Sequence, residues 1–221
     1  MGYFDDDDDD VITTDTREED PGVKQEARKV IKRGWGNAEQ TKQADSPYAQ
    51  RLKVEEQPQI VKFLEDEPYT SFRMHWVERQ GQKSFTCISD LHQQGCPLCD
   101  AGHRASARFC FNVALLSDGE AVLKSYEVGP RVIDSLKNFH QNPTMGPLSK
   151  HYWAISRSGK GPTSQTNHQL VRERDLEEDW DMSPISEDSL ASLKRSCYDE
   201  SIVPIPQRKT LAEIAAEELS A

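Results

Sequence analysis

Residues 75–99 read HWVERQGQKSFTCISDLHQQGCPLC, which gathers His75, Cys87, Cys96 and Cys99 in one short stretch of a 221-residue chain that has only five cysteines. Zinc is held tetrahedrally by four thiolate or imidazole ligands, and Cys96-Pro97-Leu98-Cys99 is the two-residue knuckle that lets two thiolates reach one ion. One structural Zn2+ is expected, with Cys87, Cys96 and Cys99 among its ligands. Three histidines compete for the fourth place. His103 stands shortly after Cys99 and His92 shortly before Cys96, whereas His75 lies in a predicted strand whose hairpin partner ends at Cys87; His75 is preferred, with His103 as the alternative. Four protein ligands leave no position for water, so the metal would hold a fold together and no enzyme is expected.

Outward from this stretch the chain alternates apolar and polar residues. Ile60–Leu64, Ser71–Val77, Ser84–Ile88, Phe109–Leu116, Val122–Val128, Tyr152–Ser156 and His168–Val171 read as strands bounded by Gly, Pro, Asp or Asn. Within this body only Pro130–His140 has helical spacing, with Val132, Ile133, Leu136 and Phe139 on one face and proline in the first turn. A mainly β domain over 58–174 is expected, with a zinc subdomain at about 75–104. A five- or six-stranded barrel with one helix between strands fits an oligonucleotide-binding barrel better than a sandwich.

The flanks differ in character. Residues 1–22 read as an acidic, flexible tail, and 23–57 as a basic, partly helical arm, with a helix over 23–33 ended by Gly34-Trp35-Gly36. Apolar residues there are too sparse to offset the entropy of ordering a core. Residues 175–221 read as an acidic extension with helices near 186–199 and 209–220, joined by Ile202-Val203-Pro204-Ile205-Pro206.

The net charge of −11 is unevenly spread. Residues 1–20 hold ten acids and one base, and 175–221 hold twelve acids and four bases; residues 21–53 hold three acids and eight bases, and 58–174 eleven acids and fourteen bases. A mildly basic body between acidic ends fits a nucleic-acid protein with acidic interaction tails, or a body with solubilising ends. No run approaches the 18 or so apolar residues of a membrane span, and Met1-Gly2-Tyr3-Phe4 followed by six aspartates is unlike a signal peptide. No membrane partner and a cytoplasmic location are expected. Cys110 and Cys197 read as lone thiols in a reducing compartment.

Residues suited to single strands lie around the zinc stretch. Arg73, Trp76, Arg79, Lys83 and Phe85 come first, then Arg104, Arg108 and Phe111, then Lys124 and Tyr126, with Arg131 at the helix start. Lys150, Tyr152, Trp153 and Arg157 follow on one strand, whose two faces divide between core and groove. Aromatic faces accept any base while cations track phosphates. Phe109 and Phe111 share an apolar face with Val113 and Leu115 and are expected to be buried. Ser158-Gly159-Lys160-Gly161-Pro162-Thr163 lacks the spacing of a nucleotide-binding P-loop and reads as a basic hairpin tip, with Lys160 placed to meet a strand.

Several of these runs together resemble a family. Phe63-Leu64-Glu65-Asp66, His75-Trp76, Ser84-Phe85-Thr86-Cys87, Cys96-Pro97-Leu98-Cys99, Phe111-Asn112-Val113, Gly129-Pro130-Arg131 and Tyr152-Trp153-Ala154-Ile155-Ser156-Arg157-Ser158-Gly159-Lys160-Gly161 are similar to the single-stranded DNA-binding proteins of tailed bacteriophages, notably those of actinobacteria. The similarity spans about residues 23–181. The order of zinc ligands also resembles that of the helix-destabilising replication proteins of T-even phages. The resemblance implies an oligonucleotide-binding barrel with an inserted zinc subdomain, ligated by His75, Cys87, Cys96 and Cys99. It implies a protein that coats single-stranded DNA in replication, recombination and repair inside an infected bacterial cell. Replication and recombination proteins recruited through the acidic ends are the implied partners, together with cooperative self-association on DNA. In one respect the chain departs from the T-even pattern: its densest acid tract is amino-terminal. The rival readings are a zinc-stabilised protein-interaction or transcription-regulating module and an RNA binder.

The charge split has a consequence at the amino terminus. If Asp5–Asp10 fold back on the basic body as a nucleic-acid mimic, deleting residues 1–20 is expected to tighten single-strand binding at low salt. Unchanged affinity across salt concentrations, read by fluorescence anisotropy, would exclude that role.

Overall fold

The computed structural model describes residues 49–219, except 92, 118, 119, 160, 162 and 163. The acidic tail, most of the basic arm with Trp35, His92 and Lys160 lie outside the described residues.

Seven strands form one antiparallel sheet: β1 (Gln59–Phe63), β2 (Thr70–Trp76), β3 (Ser84–Thr86), β4 (Ala105–Ser117), β5 (Glu120–Val128), β6 (Tyr152–Ser158) and β7 (Gln165–Val171). Among the described residues five α-helices accompany them: α1 (Pro97–Asp100), α2 (Pro130–Gln141), α3 (Asp175–Trp180), α4 (Glu187–Arg195) and α5 (Arg208–Leu219). The order is β3-β2-β4-β1-β6-β7, with β5 along the opposite edge of β4. On its first edge β4 serves two partners in turn. Ala105 to Cys110 pair with β2, and Val113 to Leu115 pair with β1.

Each expected strand is present, but the expected closed barrel is not. Among the described residues β7 pairs with β6 alone, and beyond β4 the only ladder contact of β5 is a bridge from Arg51 to Ser125. The seam is spanned by other means. Gln50 and Leu52 exchange backbone hydrogen bonds with Ser125, and Glu55 accepts one from the Arg157 amide, so residues 50–55 run from β5 to β6. Across the gap, Tyr126 on β5 and His168 on β7 are joined by a hydrogen bond of 2.8 Å.

Alternation along the strands sorts residues between two faces. The inner face carries the main core: Val61, Phe63, Phe111, Val113, Tyr126, Trp153 and Ile155, closed by Leu136 of α2 and by Leu52. Phe63 is its centre, with its ring edge-on to Phe111 at 5.5 Å and to Tyr126 and Trp153 at 6.3 Å each. Such edge-to-face pairs add to the stabilisation from burying ring area, about 0.5–1.5 kcal/mol each. The Trp153 indole donates to the Leu148 carbonyl at 2.9 Å, so no polar atom of that ring is stranded. Helix α2 starts as its sequence dictates, with Gly129 in extended conformation before it and Pro130 at its first position.

The outer face is covered by the carboxy-terminal extension. Ile60, Leu116, Tyr152, Ala154 and Val171 pack with Leu176 of α3, a helix that the charge-rich sequence Asp175–Trp180 did not advertise. Further along, buried Asn112 clamps Tyr198: its Nδ2 donates to the Tyr198 carbonyl at 2.9 Å and its Oδ1 accepts from the Tyr198 amide at 2.9 Å. Nδ2 also donates to Glu65 at 3.0 Å, which satisfies both of its protons.

The seam has a pH signature. Burial lowers the His168 pKa from 6.5 to about 4. The unfolded chain therefore binds this proton more tightly, so the contribution is complete above about pH 6.5, is lost as pH falls towards 4, and amounts to roughly 3 kcal/mol. Thermal melts are expected to show a smaller loss of stability between about pH 7 and about pH 4.5 in H168L than in the parent chain. An identical loss in both would remove the seam as its source.

Candidate metal centre and basic groove

His75 lies near the end of β2, and Cys87 follows β3, the strand that pairs with β2; His75 and Phe85 face one another across that ladder. Cys96 precedes Pro97 at the start of the single-turn α1, and Cys99 lies within it. This folding brings the four ligand atoms within 4.8 Å of one another. His75 Nε2 stands 3.5 Å from Cys96 Sγ and 3.6 Å from Cys99 Sγ, and Cys87 Sγ is 3.6 Å from Cys99 Sγ. An ion with bonds of about 2.3 Å to sulfur and 2.0–2.1 Å to nitrogen implies tetrahedral edges of about 3.8 Å between sulfurs and 3.5 Å between sulfur and nitrogen. The cluster therefore has the dimensions of a tetrahedral metal site.

The electrostatics fit the same occupant. His75 is fully buried, and burial, the largest effect, lowers its pKa, which keeps the imidazole neutral as a ligand must be. Its Nδ1 is buried with no hydrogen-bond partner among the described residues. Burial and then the neighbouring Cys87 push the Cys99 thiol up, a penalty on crowded thiolates that a divalent ion removes. Of the two histidines weighed for the fourth place that are described, His75 joins the cluster and His103 does not.

The residues expected to meet nucleic acid divide into three groups. The first surrounds the metal cluster. Trp76 is 62 % exposed, next to a ligand. Lys83 and Arg104 are exposed as well. Arg73 is held by Asp90 at 2.8 Å, and Arg79 pairs with Glu217 of α5 at 3.3 Å. The second group is brought together from distant parts of the chain. Arg108, Arg131 and Arg157 line a groove of about 1090 Å3 along the unclosed seam, bounded by Gly129 and Pro130 on one side and by Ser164 to Thr166 on the other. Lys53 joins them, and among the described residues Glu127 is the one carboxylate of the lining. Glu127 is itself held by Arg51 at 3.1 Å and Arg108 at 3.2 Å. Arg157 donates to Ser164 at 2.7 Å, which fixes its guanidinium at the groove edge.

The third group is withdrawn from any surface. Tyr126, Tyr152 and Trp153 are buried, as are Phe85 and Phe111. These rings build cores and cannot stack on a base, and burial pushes the Tyr126 hydroxyl well above its ordinary range. Both faces of β6 are covered, because the extension lies over the face that a bare sheet would have exposed. Lys150 is exposed in the short turn before that strand and not on it, and Lys124 donates to Gln50 at 3.0 Å. Lys53 was missed in the sequence. Its only signal was membership of the basic arm, and its position depends on residues 50–55 crossing the seam.

Comparison with protein-family models, with characterised proteins and with solved structures finds no match to the chain. No described helix is long and apolar enough to cross a membrane.

Removal of one ligand by C96S is expected to lower zinc affinity by more than about 100-fold, since even the outer partners of a ligand are worth 10- to 100-fold. H103A, which keeps the backbone, is expected to leave one ion bound per chain. Competition with a chromophoric chelator measures both. Loss of binding in H103A with retention in H75A would transfer the ligand role to His103.

Proposed function

We propose that the protein is a non-enzymatic, sequence-tolerant single-stranded DNA-binding protein with one structural zinc held by His75, Cys87, Cys96 and Cys99. The observation that carries this reading is the convergence of Lys53, Arg108, Arg131 and Arg157 on one open groove with a single carboxylate. A channel with an excess of fixed cations tracks a phosphate backbone without reading bases. Exposed Trp76 supplies a stacking face outside the groove. The fold supports the same reading at a coarser level. Without the β2–β3 hairpin, the order β5-β4-β1-β6-β7 with one helix between β5 and β6 is compatible with a partly open oligonucleotide-binding barrel. In that reading β2, β3 and α1 are the inserted zinc subdomain.

Three thiolates and an imidazole suit zinc, and complete its tetrahedron without a water. The proposed role of the ion is to fix the end of β2, and with it Trp76. Coating of strands in phage replication, recombination and repair follows from the resemblance stated above, as do the replication and recombination partners.

The test is anisotropy titration of the zinc-loaded chain with labelled oligo-dT at two salt concentrations, with duplex and RNA as competitors. Salt-sensitive binding that duplex does not displace is expected. R131E and R157E should each weaken it and lower the salt slope by about one. W76A should weaken it by roughly 1–3 kcal/mol if a base stacks there. Equal binding to duplex, or none at low salt, would overturn the reading in favour of an interaction module; preferential displacement by RNA would redirect it to RNA.

A further inference from the structure

Helix α5 is the last described element of the chain, yet it completes the core of the metal subdomain. Leu211, Ile214 and Ala215 form one buried stripe at helical spacing. They pack against Val77, Phe85, Ile88 and Leu98, and against Cys96, which is at once a metal ligand and a wall of this core. Two polar contacts pin the helix to the same subdomain. Arg208 donates to the carbonyl of Gly95, the residue before Cys96, at 2.8 Å, and Glu217 pairs with Arg79 at 3.3 Å. The helix thus touches the metal loop through apolar, hydrogen-bonded and ionic contacts.

The loop has little else to order it. Among the described residues between Thr86 at the end of β3 and Ala105 at the start of β4, the only regular element is the single turn α1. Fixing each backbone residue costs roughly 1–2 kcal/mol, and so short a ladder as β2–β3 offsets little of that. Beside the contacts of Arg73 with Ser89 and Asp90, the ion and the helix are the main sources of order, and they meet at Cys96. Two events that depend on the same arrangement of a shared wall are thermodynamically coupled, and the coupling is reciprocal.

We propose that the metal site is a latch for the carboxy-terminal helix: the loaded site forms the docking groove that α5 fills, and withdrawal of the ion releases α5. The proposal rests on the reading of His75, Cys87, Cys96 and Cys99 as metal ligands. Release would expose the apolar groove of Val77, Phe85, Ile88 and Leu98 together with the stripe of α5, so that the far end of the chain reports the state of the thiols more than 100 residues earlier.

Hydrogen exchange on the full chain, loaded with zinc and then stripped by a chelator, tests the latch. Amides of residues 208–219 are expected to be protected in the loaded protein and to exchange rapidly after stripping, while those of β4 and β6 stay protected. I214D, which places a carboxylate in the groove, is expected to bind zinc about 5- to 150-fold more weakly, the range of ordinary couplings. A212D, on the exposed side of the same helix, should leave zinc affinity unchanged. Zinc bound at one ion per chain, with α5 exchange indifferent to its removal or I214D binding as the parent does, overturns the latch and leaves the metal reading standing. Failure of the reduced chain to bind zinc overturns both.

Discussion

One edge of β4 has to satisfy two strands, and the rest of the molecule is arranged around that constraint. Ala105 to Cys110 hold the hairpin of the metal subdomain, while Val113 to Leu115 hold β1 and through it β6 and β7. A single strand of 13 residues is therefore common to both bodies of structure. Between the two pairings the chain leaves β1 at Phe63 and returns at Thr70, and the intervening residues contribute Glu65 to the Asn112 clamp and Asp66, which accepts from the Ser149 amide at 2.9 Å. Because β4 is rigidly paired on its other edge with β5 over its inner half, displacement of the hairpin would have to bend the strand that carries Phe111 and Val113 of the main core. The metal cluster thus sits on a firm base on its β2 side and on a loop with little secondary structure of its own on its Cys87–Cys99 side.

Much of this was legible in the sequence, for identifiable reasons. The strands were legible from period-two alternation in the sequence and α2 from its 3.6-residue period, although β6 and the middle of β4 are buried on both faces. The ligand set was legible because thiols at a two-residue gap have few other uses in a chain so poor in cysteine. His75 was readable from the predicted hairpin. The clamp of Asn112 on Tyr198, by contrast, gives no local signal: its two members are 86 residues apart and each is an ordinary polar residue of a strand or a loop. The same holds for Lys53, whose place in the groove depends on which strand residues 50–52 find.

The buried aromatic residues of β5 and β6 show why composition alone misassigns a nucleic-acid surface. Alternation says that Tyr152 and Trp153 lie on opposite faces, and in a bare two-faced sheet one of them would be exposed. The carboxy-terminal extension removes that choice. Leu176, Trp180, Met182 and Ile185 cover the outer face, and the Tyr152 hydroxyl accepts a hydrogen bond from the Ile185 amide at 2.9 Å. The extension holds twelve acids and four bases, yet its few apolar residues suffice to cover the face because the sheet supplies the rest of the apolar surface.

That cover also bears on where a polyanion can lie. In oligonucleotide-binding barrels the outer face of the second and third strands is the usual platform. The corresponding face here is that of β4 and β5, and Tyr198 is clamped across it while Ile202 to Pro204 wall a cavity of about 490 Å3 above Phe72, Met74 and Cys110. The lining of that cavity offers one cation, Arg51, and it is already paired with Glu127. The seam groove differs in both respects: among the described residues none of the extension lines it, and of its four cations only Arg108 is paired with its carboxylate, Glu127, which leaves Lys53, Arg131 and Arg157. Coulomb attraction to phosphates scales with unpaired fixed charge, and the cost of clearing a site scales with what must be displaced. On both counts the groove between α2 and the β6–β7 hairpin is favoured over the strand face. In this fold the failure of the sheet to close creates the surface on which the proposed binding relies.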